Sequence, residues 1–207
     1  MKYIFVAGAP GSKWSSVTKN IYYSPDIDRS DYSDARTYYH DAPGTMQLMH
    51  MGAYFDPGME FGKQLHRMPM YTKEQLEQDF DEAFSEREGI RIIKSHVFSN
   101  HIDFIKETWP DCPVVLVHRT DDACLGWWVK CGQFNITYPD YAEYYKDLKT
   151  MATIIQKQNA GILAATNKYA ALETTNNQML CNILGIALPP AEYFQDYESA
   201  DIIVTII

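Results

Sequence analysis

Residues 4–17 read IFVAGAPGSKWSSV, an apolar run followed at once by a turn rich in glycine and serine. Tyr3 to Ala7 are continuously β-prone, which is typical of a central parallel strand buried on both faces. A helix is expected to begin after Ser15. Backbone N–H groups in such a turn can point inward, and the following helix adds its positive N-terminus. The stretch therefore predicts a phosphate-binding loop at the carboxyl end of the first strand.

The loop departs from the Walker A pattern of ATPases and GTPases. In that pattern the lysine is preceded by glycine and followed by Ser or Thr, whereas Lys13 stands between Ser12 and Trp14. The alternative interpretation is a plain strand-to-helix turn, in which Gly and Pro only end the strand and form the turn.

The composition limits the classes of function. The 207 residues, 46% of them hydrophobic, suit one compact domain over residues 1–207. The formal net charge of −9 argues against nonspecific nucleic-acid binding. The four cysteines form no CxxC pair and no zinc-like spacing, which favours free thiols in a reducing cytoplasm. No apolar run approaches the roughly 20 residues of a membrane span, so we expect a cytoplasmic protein without membrane or nucleic-acid partners.

The first half of the chain predicts an irregular excursion followed by a helix. Residues 22–70 are rich in Asp, Gly, Pro, Tyr and Met with little periodicity, so we expect a long irregular insertion. Loops of this length in a compact domain usually carry function or partial disorder. The sequence TKEQ at Thr72 is a capping box, and the helix that it begins is expected to run to about Arg87.

Two further strands are predicted with a helix between them. Ile90–Lys94 and Pro113–His118 are β-prone, and Ile102–Thr108 fits a short helix. Strand, helix, strand within about thirty residues is the βαβ unit of a parallel sheet. The fold class that follows is α/β, a three-layer α/β/α arrangement with a central, mainly parallel sheet.

The last third predicts two helices and a strand. Aromatic and apolar residues from Tyr141 to Ile155 recur at helical spacing, which predicts an amphipathic helix. Asn176 or Asn177 is expected to begin a final helix, which Gly185 ends. The tail DIIVTII, residues 201–207, is expected to add an edge strand. The inward face of the final helix is expected to comprise Met179, Leu180, Ile183 and Leu184.

Residues 89–98, GIRIIKSHVF, form the second stretch that could carry chemistry. Its strand ends at Lys94 and leaves Ser95 and His96 at the carboxyl edge, where open α/β sheets bind ligands. A neutral imidazole can deprotonate a hydroxyl near neutral pH, so His96 is a candidate general base. A satisfied, partly buried histidine is the alternative.

Residues 114–128, VVLVHRTDDACLGWW, form the third stretch. Its strand ends at Arg119, and arginine makes bidentate contacts to phosphate, which suits a doubly phosphorylated nucleotide. An ion pair of Arg119 with Asp121 or Asp122 is the alternative.

Together the three stretches resemble the sulfotransferase family, whose members use PAPS (phosphoadenosine phosphosulfate) as sulfuryl donor on a P-loop-like α/β fold. A glycine and serine loop after strand one, a Lys-Ser-His after a middle strand and an Arg followed by an acidic turn agree with the family in order and context. The resemblance covers residues 3–17 and 90–130, with a fainter similarity at YAAL, residues 169–172.

The resemblance implies a role for each stretch. His96 matches the catalytic base, Lys94 the lysine two residues before it, and Arg119 the arginine that contacts the 3′-phosphate. The family's first motif usually reads Pro-Lys/Arg-Ser-Gly-Thr-Thr, so alignment on Pro10 moves the cation from Gly11 to Lys13; a register with Ser15 and Ser16 as the hydroxyl pair is equally consistent. The loop residues that would bind the 5′-phosphosulfate are Pro10, Gly11, Ser12, Lys13, Trp14, Ser15 and Ser16.

The expected reaction is in-line transfer of a sulfuryl group from PAPS to a hydroxyl or amine of a small-molecule or carbohydrate acceptor. His96 would take the acceptor proton, Lys13 and Lys94 would neutralise charge, and no metal is expected. Trp14, Trp127 and Trp128 could pack near the purine, with structural packing as the alternative.

The acceptor is expected to meet the irregular insertion, at HMGAYFDPGMEFG (residues 50–62) with His66 and Arg67. An insertion that merely wraps the core is an equal alternative. Two rival functions stay open: a P-loop nucleotide kinase or hydrolase, and a catalytically degenerate nucleotide-binding module.

Overall fold

The computed structural model describes residues 1–31, 51–56, 61, 65–130, 146–174, 176–193 and 201–207. The strands are β1 (Tyr3–Gly8), β2 (Ala53–Tyr54), β3 (Arg91–Lys94), β4 (Val114–Arg119), β5 (Leu172–Thr174) and β6 (Ile202–Ile206). The α-helices are α1 (Trp14–Tyr22), α2 (Lys73–Glu82), α3 (Ile102–Thr108), α4 (Asp121–Lys130), α5 (Leu148–Lys168) and α6 (Asn177–Leu184). In the described ranges, 3-10 helices cover Leu65–Met70, His96–Asn100 and Ala191–Tyr193.

The strands form one sheet in the order β2-β3-β1-β4-β6-β5. The strands β2, β3, β1 and β4 are parallel to one another. Val6 of β1 lies opposite Lys94 of β3 on one side and Val115 of β4 on the other. Strand β6 runs antiparallel to both β4 and β5. The α/β class predicted from the sequence is confirmed, and the sheet is mixed.

Both faces of the sheet carry an apolar cluster, because successive residues of β1 point to opposite sides. Ile4 and Val6 belong to the first cluster, which packs against α1, α4 and α6. Phe5 and Ala7 belong to the second cluster, which packs against α2 and α3. Burial on both faces explains why β1 reads as an unbroken apolar run.

Helix α5 passes from one face of the sheet to the other. Its first half puts Met151 and Ile155 in the first cluster, whereas its second half puts Ile162 in the second cluster. Between these positions Asn159 donates from Nδ2 to the carbonyl of Arg119, the last residue of β4, at 2.8 Å. The helix therefore crosses the carboxyl edge of the sheet.

Helix α2 has the predicted start but an earlier end. The capping box is confirmed, because Thr72 accepts from the Gln75 backbone N–H and Gln75 accepts from that of Thr72. The predicted end near Arg87 is wrong, since α2 stops at Glu82. The residues after Glu82 leave the helix because their backbone pairs with another segment. Ser85 donates its N–H to the carbonyl of Ser30, and Phe84 forms an isolated antiparallel β-bridge with Asp31.

The described residues of the insertion predicted at 22–70 include regular secondary structure that the sequence did not predict. Strand β2 pairs in parallel with β3, and Leu65–Met70 forms a 3-10 helix. The low-periodicity composition hid β2 because the strand is only two residues long. Residues 32–50, 57–60 and 62–64 of this insertion lie outside the described part of the chain.

The C-terminal predictions are partly confirmed. Helix α6 begins after Asn176, whose side chain accepts from the N–H of Met179, and ends at the left-handed Gly185. Met179 is exposed rather than inward, because the buried face of α6 contains Leu180 and Leu184 and leaves Met179 outside it. Helix α5 is capped by Asp147, so its predicted start at Tyr141 falls among residues 131–145, outside the described ranges.

The tail forms a strand, but the edge position predicted for it is wrong. Strand β6 lies between β4 and β5, because β5 covers its second side, with Thr174 opposite Val204. Among the described residues, no helix is long and apolar enough to cross a bilayer.

Candidate functional site

Three segments meet at the carboxyl edge of the parallel strands. Because β1 lies between β3 and β4, Gly8 at its end has Lys94 and Arg119 as neighbouring strand ends. After β1 the chain forms β2 and β3 on one side of it and then crosses to form β4 on the other side. Such switch points are where open α/β sheets bind ligands.

The loop after β1 is curled by two residues in the left-handed region, Gly11 (φ 82°) and Lys13 (φ 63°). Ser12 donates its N–H to the carbonyl of Ala9 at 3.0 Å and Ser16 donates to that of Lys13. Lys13 stands at the N-cap of α1 and provides no side-chain cap. The N-terminus of α1 thus opens onto the loop without a capping side chain, as an anion-binding turn requires.

The loop is packed tightly against β4 and α4. A Cβ added to Gly11 would lie 2.0 Å from the carbonyl oxygen of Cys124, and one added to Gly8 would lie 2.6 Å from Ser12 Oγ. The Gly11 carbonyl also accepts from the Arg119 guanidinium at 3.2 Å. Ser12 Oγ is fully buried and has no hydrogen-bond partner within the described ranges.

His96 lies against the start of this loop. Its Nδ1 hydrogen-bonds to the carbonyl of Gly8, and because a carbonyl only accepts, Nδ1 carries the proton. Nε2 of the neutral ring is then the basic nitrogen. The imidazole stacks on the indole of Trp14, with ring centroids 4.0 Å apart, and the edge of Tyr54 closes a further side.

Asp56, which follows β2, was missed by sequence reasoning. Its Oδ1 accepts from Ser95 Oγ at 2.5 Å and from the His96 N–H at 3.0 Å, and its Oδ2 lies 3.9 Å from His96 Nε2. Tyr54 donates its hydroxyl to the same carboxylate at 3.1 Å. The sequence YFDPG at residues 54–58 could have indicated Asp56, because a β-prone Tyr-Phe followed by Asp-Pro-Gly is typical of a strand that ends in a turn. The carboxylate fixes the turn that carries His96.

Lys94 is fully buried at the end of β3. Its Nζ lies 5.6 Å from the centroid of Trp14 and 5.5 Å from that of Tyr54. Burial lowers the pKa of His96, and the charge of Lys94 lowers it further against the opposing effect of Asp56. His96 is therefore neutral at neutral pH, the state that a general base needs.

Three cations surround the half-buried indole of Trp127. Lys13 Nζ lies 4.7 Å from its centroid, Lys130 Nζ 5.4 Å and the Arg119 guanidinium carbon 5.9 Å. Trp14 and Trp128 are buried in the first apolar cluster, so their indoles pack the core rather than offering a free surface.

Arg119 forms an ion pair, but with a different acid from those considered in the sequence. Its Nε contacts Asp201 at 2.6 Å, just before β6. Asp121 instead accepts from Asn159 Nδ2 at 2.7 Å. The antiparallel return of β6 beside β4 brings Asp201 to this position.

The residues predicted to meet the acceptor separate into two groups. Tyr54, Phe55 and Asp56 are buried and pack in the core, as the alternative interpretation held for this insertion. His66 and Arg67 are exposed on the 3-10 helix Leu65–Met70, which packs against His96–Asn100. The rest of residues 50–62, apart from 51–53 and 61, falls outside the description.

The described cysteines are buried free thiols, namely Cys112, Cys124 and Cys181. Burial raises the pKa of Cys124 to about 12 and that of Cys181 to about 11, which makes both poor nucleophiles near neutral pH. Within the part of the chain that the structure describes, no three His, Cys, Asp or Glu residues cluster as metal ligands.

Stability is expected to fall as the pH drops from about 7 to 5. Burial lowers the pKa of His96, His101 and His118, so the unfolded chain binds protons below about pH 6.5 that the folded chain resists. The free energy of unfolding therefore decreases on acidification in this window. Carboxylates with a lowered pKa, such as Asp81, affect the free energy of unfolding only at more acidic pH, nearer pH 4.

Urea denaturation at half-unit pH steps measures this effect. A midpoint that stays constant between pH 7 and 5 would contradict it, and a His96→Asn variant should show a shallower decline because one of the three groups is gone.

Comparison with protein-family models, with curated proteins and with solved structures gives no match for this chain.

Proposed function

We propose that the chain is a PAPS-dependent sulfotransferase with a divergent P-loop-like fold. The observation that carries the proposal is the hydrogen bond from His96 Nδ1 to the carbonyl of Gly8. It ties a neutral imidazole to the first residue of an anion-binding loop and leaves Nε2 as the basic nitrogen. A hydroxyl and a group bound in the loop can then be held side by side.

The loop and the start of α1 fit a phosphosulfate. The N-terminus of α1 has no side-chain cap, and the buried Ser12 hydroxyl has no partner within the described ranges and can donate to an anionic oxygen. Lys94 supplies a buried positive charge at the neighbouring strand end. Such a charge stabilises a developing anion more strongly than it would in water.

The cations around Trp127 fit the second phosphate of the same nucleotide. Lys13 Nζ and Lys130 Nζ lie over the Trp127 indole, 4.7 and 5.4 Å from its centroid, whereas Arg119 is held by Asp201 and Gly11. We therefore assign the 3′-phosphate to the two lysines, with Arg119 as the residue that positions the loop.

PAPS would supply the activated sulfuryl group. His96 Nε2 takes the proton of the acceptor hydroxyl while the acceptor oxygen bonds to sulfur and the bond from sulfur to the phosphate oxygen breaks. PAP, the desulfated nucleotide, leaves with the electron pair of that bond. Asp56 positions the His96 turn, and Lys94 offsets charge on the leaving phosphate.

Asp56 gives one observation in favour of a P-loop kinase or hydrolase, since it is an acid at a strand end, where such enzymes hold magnesium. Its oxygens, however, already accept three hydrogen bonds, from Ser95, His96 and Tyr54, and these contacts hold the carboxylate as the group that positions the His96 turn.

Calorimetric titration with PAP in EDTA, compared with ATP and magnesium, tests the proposal. We expect PAP to bind without metal and more tightly than ATP. Lys13→Met should weaken PAP about 10- to 100-fold, the usual effect of losing one charged hydrogen bond. Lys19→Met, in the last turn of α1, is the matched control and should leave PAP affinity unchanged. A preference for ATP with magnesium would overturn the proposal, and PAP binding without transfer would indicate a binding module.

A further inference from the structure

The carboxamide of Gln158, on α5, is buried and has no hydrogen-bond partner among the described residues. The residue is 1% exposed, and within the described ranges neither Nε2 nor Oε1 has a hydrogen-bond partner. Buried polar groups are normally hydrogen-bonded because leaving them unpaired is costly. The two atoms therefore point to a partner that the described residues do not provide.

The neighbours of Gln158 show where it faces. Asn159 contacts the carbonyl of Arg119 at the end of β4, and a Cβ on Gly161 would lie 2.1 Å from the carbonyl of Ser99, in the 3-10 helix that follows β3. Helical residues are about 100° apart, which puts Gln158 between these two directions. Since β1 lies between β3 and β4, Gln158 faces the end of β1, where Gly8 holds His96.

The chemistry of a carboxamide selects its ligand. Gln158 offers a donor group, the side-chain NH2, beside an acceptor, Oε1, whereas a sulfonate or phosphate only accepts hydrogen bonds and would leave Oε1 unpaired. Two adjacent hydroxyls satisfy both atoms, one donating to Oε1 and the other accepting from Nε2. The hydroxyl of Ser99 is also buried, with no partner in the described part of the chain, and lies on the segment against which α5 packs.

We propose that Gln158 binds a vicinal diol, so that the acceptor of this site is a carbohydrate or polyol rather than a phenol or an amine. The role of the diol as sulfuryl acceptor rests on the proposed function, but diol binding at Gln158 can be tested independently of that function. Gln158, Ser99 and His96 are each at most 4% exposed, so entry requires local movement of the chain around them and slow association is expected.

The test follows the side-chain amide of Gln158 by ¹⁵N NMR, assigned by its loss in Gln158→Met. Methyl glucoside, methyl galactoside and myo-inositol are titrated with and without PAP, and cyclohexanol, which has a single hydroxyl, serves as the control ligand. We expect the amide signal to shift saturably with at least one of the polyols and not with cyclohexanol. An amide that responds to none of the three, or that contacts only a long-lived water, overturns the inference.

A pair of variants separates binding from structure. Gln158→Met should weaken the responding polyol at least 10-fold, leave PAP affinity within twofold and keep or raise the urea midpoint, because the carboxamide makes no hydrogen bond to the described chain. Gln156→Met, exposed on the same helix, should change neither affinity. A lower midpoint for Gln158→Met with unchanged polyol affinity would make Gln158 structural.

The two proposals can fail separately. A polyol response without PAP binding keeps the diol site and removes the sulfotransferase. PAP binding without any polyol response removes the diol site alone.

Discussion

Replacing His96 with Asn is expected to slow sulfuryl transfer by about 100- to 10,000-fold, the usual contribution of a general base. The Asn side chain can still donate to the carbonyl of Gly8, because its amide nitrogen takes a position close to that of Nδ1. It has no atom in place of Nε2. Single-turnover rates measure the loss, and calorimetry should find PAP affinity within twofold of the parent.

His101→Asn is the matched control for this substitution. His101 stands at the N-cap of α3, where Asn is well tolerated, and it makes no side-chain cap in the parent. Its transfer rate should equal that of the parent. A His96→Asn variant that retains more than a tenth of the parent rate would remove His96 as the base.

Gly11→Ala is expected to destabilise the fold by about 3 kcal/mol and to abolish PAP binding. The added Cβ would meet the carbonyl oxygen of Cys124 at 2.0 Å, and φ of 82° is strained for any L side chain. The loop must then move away from α4 and lose its hydrogen bond with Arg119. Urea denaturation and PAP titration measure the two effects.

Gly126→Ala is the control on the helix that carries Cys124. Nothing lies within 4 Å of a Cβ at Gly126, so the better helix propensity of Ala should stabilise the protein by up to about 1 kcal/mol. Parent-like stability and PAP affinity in Gly11→Ala would show that the loop is not held against α4.

Elements whose signal is local could be predicted from the sequence. Strand β1 is a continuous apolar run because both of its faces are buried, and α2 and α6 begin where Thr72 and Asn176 cap them. Strand β3 and its His96 turn follow from the same kind of short-range pattern.

Features that depend on distant partners could not be predicted. Strand β6 lies inside the sheet only because β5 pairs with its second side, and Asp201 reaches Arg119 only because β6 returns antiparallel to β4. The path of α5 over the sheet edge depends on Gly161 meeting Ser99. Asp56 enters the site through a two-residue strand that carries no periodicity.

The strand order also bears on how the protein resists aggregation. The sheet ends in two very short strands, β2 with two residues and β5 with three, and short edges offer little backbone for another chain to pair with. Strand β6, with the sequence IIVTI, is apolar, uncharged and β-prone, which is the composition of amyloid-forming segments. Because β5 pairs with the outer side of β6, substitutions that detach Leu172–Thr174 would expose β6 for pairing with other chains. Such substitutions are then expected to cause self-association as well as a loss of stability.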